Sequence, residues 1–209
     1  MKNEYVKNCN DLLVSISPGN IKLGAIPSVS LPACITCNPS APCFLDCYAA
    51  RIERRYKQSR AAYQRNLDIL KADPGAYWLQ VKAAAMVNRF FRYHVSGDIP
   101  NADYLVNMIK VAKELPQTNF LAFTKQYYIV NQFINDGGSI PKNLKIIFSN
   151  WGAWKCDNPH NLPLCEIIFN DTEINPDWKI CGGNCTDCAC RGIGCWEIKT
   201  GETIAIYKH

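Results

Sequence analysis

The stretch FLAFTKQYYIVNQFINDGGSIPKNLKIIF, residues 120–148, decides the fold. Its ends are short β-favouring apolar runs, FLAF at 120–123 and KIIF at 145–148. Between them, residues 126–135 read as a helix that Gly137 stops. A strand, a helix and a second strand in so short a span make a βαβ unit, whose crossover helix places the two strands parallel. The same alternation extends outward. Further β-favouring runs occur at 26–31 (IPSVSL), 92–95, 165–169 (CEIIF) and 203–207 (TIAIY). Helical patterns fall at about 45–71, at 76–88 and at 102–114, with Pro74 and Pro116 as stop signals. There is no internal repeat, low-complexity stretch or long linker, so residues 1–209 are expected to form a single α/β domain.

About six mainly parallel strands suit either an open doubly wound sheet or a partial (β/α) barrel, because a complete eight-stranded barrel typically needs about 250 residues. The partial barrel is the expected architecture. In α/β folds, functional groups gather beyond the C-terminal ends of the strands, and here those positions are polar. The first strand runs into a cysteine loop. The second ends in HVSGD, with His94, Ser96 and Asp98 at its tip and Gly97 permitting a tight turn. The third ends in Thr124 and Lys125, the fourth in Ser149 and Asn150, the fifth in Asn170 and Asp171, and the last in Lys208 and His209. His94, Ser96, Asp98 and Lys125 are the candidate catalytic residues. Each has a plainer reading: a hydrogen-bonded structural histidine, loop-starting polar groups, a solvated lysine.

The chain has 12 cysteines, and nine of them fall in two runs, CITCNPSAPCFLDC at 34–47 and CGGNCTDCACRGIGC at 181–195. A disulfide scaffold is the competing account, and it belongs to small secreted domains with little core. This chain has 48% hydrophobic content and no apolar run long enough for a signal peptide or a membrane span. Reduced thiols in a cytoplasmic protein are therefore expected, and with them a metal centre. In the first run, Cys34, Cys37, Cys43 and Cys47 are the expected ligands; Pro39 and Pro42 keep the intervening chain out of helix, and Cys47 opens one. In the second run, Cys181, Cys185, Cys188 and Cys195 are expected, interleaved with glycines that let backbone pass close to sulfur. Cys190 follows Cys188 too closely and is left outside. Irregular spacings favour [4Fe-4S] clusters, two in all, while zinc is the alternative because the Cys185 to Cys188 spacing suits a zinc knuckle. Cys165 reads as a buried small residue, Cys9 as isolated and Cys156 as structural.

A net charge of +5 is a weak pointer to nucleic acid, nucleotides or an acidic redox partner. Much of the excess lies in RIERRYKQSR at 51–60, which reads more plainly as a solvated helical face.

GNIKLGAIPSVSLPA at 19–33, the TC and CYA around Cys37 and Cys47, HVSGD, and the closing Cys195 and Trp196 together resemble the phage "gene product 88" family over nearly the whole chain. That resemblance implies a phage or prophage origin, hence a host cytoplasm, and a cysteine-rich domain, but no established reaction. It matches Cys37, Cys43, Cys47, Cys181, Cys185, Cys188 and Cys195, along with His94, Ser96, Gly97 and Asp98. Cys34 is an addition to the family's pattern. A fainter likeness of architecture is to radical S-adenosylmethionine enzymes, although Ala50 stands where their third cysteine would be.

Three functions follow as expectations. The first is an iron-sulfur protein with an electron-transfer or redox role at the rim, served by a redox partner or a small-molecule substrate. The second is a radical or metal-assisted enzyme using His94, Asp98 and Lys125. The third is a zinc-stabilised module that binds nucleic acid or protein.

Overall fold

The computed structural model describes residues 12–152, 154, 156–170 and 173–208. Cys9, Asp171 and His209 lie outside the described residues. The chain folds as a mixed α/β structure on an eight-stranded sheet whose order is β1-β2-β3-β4-β5-β6-β8-β7. The strands are β1 (Ile16–Ser17), β2 (Ser28–Val29), β3 (Phe90–Tyr93), β4 (Asn119–Thr124), β5 (Leu144–Trp151), β6 (Leu164–Ile168), β7 (Lys179–Ile180) and β8 (Thr203–Tyr207). All neighbouring pairs are parallel except β1 with β2. Among the described residues the sheet is open, with β1 and β7 as its edges.

The βαβ unit that anchored the sequence reading is present as β4, α5 (Tyr127–Asn135) and β5. All six expected strands form, the second of them at Phe90–Tyr93, two residues earlier than the expected 92–95. β2 is shorter than residues 26–31 because Pro27 and Pro32 bracket it and neither can donate to a ladder. β1 and β7, two residues each, carry no apolar run and were invisible to periodicity.

The helix expected over about 45–71 is two helices, α1 (Tyr48–Arg55) and α2 (Lys57–Ala72), parted where Tyr56 is extended at φ −113° and ψ 92°. The break lets the two bury different faces. α1 turns Ala49 and Glu53 inward, while α2 turns in Asn66, Leu67 and Ile69. Asn66 Nδ2 donates to Ser15 O at 3.0 Å and Ser30 O at 2.9 Å, tying α2 to the start of the sheet. α3 (Pro74–Met86) opens on Pro74 behind an Asp73 cap, and α4 (Ala102–Glu114) on an Asn101 cap. The basic run at 51–60 is almost wholly exposed, as a solvated face should be.

Alternation along the strands divides the core in two. Val29, Phe91, Tyr93, Phe120, Ala122, Ile146 and Phe148 pack with side chains of α2 to α5 in the larger cluster. Leu121, Ile147, Cys165 and Ile204 belong to a second cluster with Leu23, Ile26, Ala189, Trp196 and Ile198. The helices therefore cover one face. The cysteine-rich C-terminal segment, including α6 (Cys185–Arg191), covers the other.

Candidate functional site

The first cysteine loop is held in place by the strand tips beside it. Thr36 Oγ1 donates to Pro32 O and accepts from Asp98 N, both at 3.1 Å. Asn38 Nδ2 reaches Lys125 O at 3.2 Å, and Gln126 Nε2 reaches Thr36 O at 3.3 Å. Glu53 on α1, 8% exposed, accepts from Ala33 N at 2.8 Å and from Ser96 Oγ. One buried carboxylate thus joins the start of the loop, the HVSGD turn and the helix that leaves the loop. Cys47 caps that helix, its Sγ accepting from Ala50 N at 3.5 Å.

Cys34 and His94 both adopt left-handed backbone, at φ 64° and 58°. For residues with a Cβ this costs about 1–3 kcal/mol each and is sustained by surrounding structure. Gly97 is left-handed too, at φ 77°, and a Cβ there would meet Leu31 O at 2.6 Å and Thr36 Oγ1 at 2.7 Å. Gly97→Ala is therefore expected to cost about 2 kcal/mol or more, through strain and displacement of the loop. Urea unfolding of the variant checks this, and unchanged stability would refute it.

The HVSGD side chains divide their tasks. Asp98, 5% exposed, accepts from Ile99 N at 2.7 Å, Thr124 Oγ1 at 2.6 Å and Lys125 N at 2.8 Å. Burial pushes its carboxyl above the usual range, and these donors pull partly back. His94, 4% exposed, shares a hydrogen bond with Tyr104 Oη through Nε2 at 3.0 Å, and its Nδ1 has no partner. Burial, reinforced by the Arg92 guanidinium, lowers its pKa to about 3, so the ring is neutral. Lys125 Nζ donates to Ser149 Oγ at 2.7 Å.

The C-terminal cysteines are docked by the segment at 19–25. Cys185 N donates to Lys22 O at 2.9 Å, while Thr186 Oγ1 donates to Leu23 O and accepts from Ala25 N, each at 2.9 Å. Gly24, left-handed at φ 64°, leaves the space that Thr186 fills. Trp196, 3% exposed, donates from Nε1 to Cys185 O at 3.2 Å and meets Phe90 edge-on.

Both cysteine groups open onto one cavity of about 200 Å³. Cys34, Cys37, Cys43 and Cys47 belong to its lining, and so do Cys165, Cys181, Cys185 and Cys195. His94, Ser96, Asp98 and Lys125 lie on its wall, together with Arg92, Phe123 and Trp151. Cys188 is not among the lining residues but lies within electrostatic reach of Cys181 and Cys185. Of the eleven described cysteines, all free, only Cys190 is exposed. Cys156 packs against the helix-side core, outside the lining.

The donor set fits a soft metal or cluster in type, because each group is thiols only. Burial raises Cys37 to about 12, with the Asp98 carboxylate adding to it, and raises Cys34 to about 11, with Cys47 adding to it. Cys43 is also raised by burial, which Lys125 partly offsets, and Cys185 likewise, which Arg92 partly offsets. Thiols so placed lose protons to a bound cation rather than to water. Among the described residues, no group of three or more His, Cys, Asp or Glu side chains is drawn tightly enough to hold a metal ion.

Sequence reasoning missed Glu53, Arg92 and Tyr104, and it read Cys165 only as buried filling. Arg92 sits mid-strand, where periodicity predicts a core position, and that misfit was the available signal. No helix among the described residues is long and apolar enough to cross a membrane. No curated protein and no solved structure matches the chain. A family model does match, over residues 6–190, which takes in the first cysteine run, HVSGD and the second run as far as Cys190, and so the chain belongs to the Gene product 88 family.

Proposed function

We propose that this protein is an iron-sulfur protein on a partial (β/α) barrel. Cys34, Cys37, Cys43 and Cys47 would hold one [4Fe-4S] cluster, and Cys181, Cys185, Cys188 and Cys195 a second. The observation that carries the reading is the shared cavity: two thiol groups far apart in sequence open onto one chamber at the strand tips. The run of strands in chain order from β2 to β6, with helices packed on one face, supports the barrel-like description. Eleven free thiols support a reducing compartment, read as the host cytoplasm.

Bound clusters supply one-electron transfer. The chain's own residues prepare their surroundings. Ala50 N–H donates to Cys47 Sγ, Arg92 Nη1 lies 3.9 Å from Cys185 Sγ, and Lys125 offsets negative charge at Cys43. Such donors and cations lower the cost of gathering thiolates and tune the potential. Phe123 and Ile167 keep part of the wall apolar. A redox partner would exchange electrons through the cavity mouth, or a small molecule would react within it.

Iron, zinc and acid-labile sulfide, measured on protein purified without oxygen, test this together with the visible spectrum. About eight irons per chain with equal sulfide is the expected result. Zinc without sulfide would overturn it and favour a zinc-stabilised binding module instead. S-adenosylmethionine binding to an iron-loaded chain would turn the reading toward a radical enzyme.

A further inference from the structure

β3 carries a charge where its neighbours are apolar. Phe91 and Tyr93 enter the helix-side core, while Arg92 lies on the opposite face, its guanidinium carbon 4.7 Å from the centre of the Phe123 ring. A buried N–H donor without an acceptor costs free energy. Among the described residues, Arg92 Nε is buried and has none, and Nη1 has only the sulfur of Cys185 as a distant acceptor. Among the described residues, no carboxylate lies within ion-pair distance of Arg92 or of Lys125. Lys125 Nζ is half-buried, bonded to Ser149 Oγ and 5.8 Å from the centre of the Trp151 ring. On the same wall, His94 keeps an unpartnered Nδ1 although it is almost wholly buried.

We propose that this cavity binds a small organic molecule through its carboxylate or phosphate group, with Arg92 and Lys125 as anchors and His94 as a further polar contact. A guanidinium fork matches a planar carboxylate or a phosphate edge with two parallel hydrogen bonds, and the lysine adds a point charge. Phe123, Trp151 and Ile167 offer apolar surface for the carbon body. The inference deepens the iron-sulfur reading by placing this anion between the two cysteine groups, but its binding can be measured independently of metal.

The test is calorimetric titration of the full chain, purified without oxygen and analysed for iron and zinc, with inorganic phosphate and with malonate as probes. At least one probe is expected to bind saturably at one site, phosphate alone indicating a phosphate ester and malonate alone a carboxylic acid. Arg92→Met should weaken binding by about ten- to hundredfold, the loss of a charge-assisted pair, and Arg92→Lys should restore part of it. Should Arg92→Met fail to fold, Lys125→Met, a half-buried site, carries the comparison. Metal-free protein that still binds the probe would keep the anion site and sink the iron-sulfur reading. Metal-replete protein that binds neither probe, or variants that bind as the wild type does, would overturn the anion site. Iron lost from Arg92→Met, with no probe bound by the wild type, would also overturn it and make Arg92 a counter-charge to the thiolates.

Discussion

Cys43→Ala is expected to leave the N-terminal cysteine group without its metal and to lower the stability of the fold by several kcal/mol. Metal binding at such loops is folding free energy, about 10–16 kcal/mol for structural zinc in small peptides, and a larger domain forfeits part of that when one of four ligands goes. Cys43 is the cleaner choice within its run, because Cys47 also caps α1. Cys47→Ala should therefore lose the same metal plus about 1 kcal/mol of cap. Cys190→Ala is the control, since its exposed side chain lies outside the proposed ligand set. Metal content and urea unfolding of the three variants decide the matter, and unchanged metal in both Cys43→Ala and Cys47→Ala would sink the proposed centre.

His94 makes the protein acid-sensitive, in a window set by its own pKa. Burial, with Arg92 adding to it, holds the folded pKa near 3, against about 6.5 in the unfolded chain. Below pH 6.5 the unfolded chain takes up a proton that the folded chain refuses. Stability is therefore full above that pH and falls as pH drops toward 3, by about 4 kcal/mol in all. Asp98 acts in the opposite sense: its raised carboxyl is protonated in the folded state first, which stabilises the fold as pH falls through that raised value. The tyrosines around His94, Tyr93 and Tyr104, are pushed upward by burial and do not titrate there. The clean measurement is a comparison with His94→Gln, whose amide can still reach Tyr104 and cannot be protonated. Any fixed cost of glutamine in left-handed backbone cancels between two pH values. Between pH 7 and pH 4 the wild type should lose about 3 kcal/mol more than the variant. Equal losses would mean that His94 is protonated in the folded state.

The sequence made the sheet legible because burial on both faces leaves near-continuous apolar runs, and FLAF, KIIF, CEIIF and TIAIY are such runs. It was blind to β1 and β7, which are two residues each and too short for a periodic pattern. It joined α1 to α2 because nothing in the side chain of Tyr56 marks a stop; the break comes from the different surfaces the two helices cover. At the site, HVSGD was legible as a strand tip. That Asp98 has three donors while His94 keeps a nitrogen unpartnered was not, since hydrogen-bond partners come from Thr124, Lys125 and Tyr104, distant in sequence.

By itself the sequence determined the α/β class, the order of six of the strands along the chain and the grouping of thiols into two runs, because periodicity, turn chemistry and ligand spacing are local properties. Only the tertiary structure decided that the helices take one face of the sheet and the C-terminal cysteine segment the other, and that both thiol groups meet Arg92, His94 and Lys125 in one chamber. Sheet register and face sharing set those meetings. They depend on side chains tens of positions apart, 93 between Arg92 and Cys185, and no local pattern encodes such a distance.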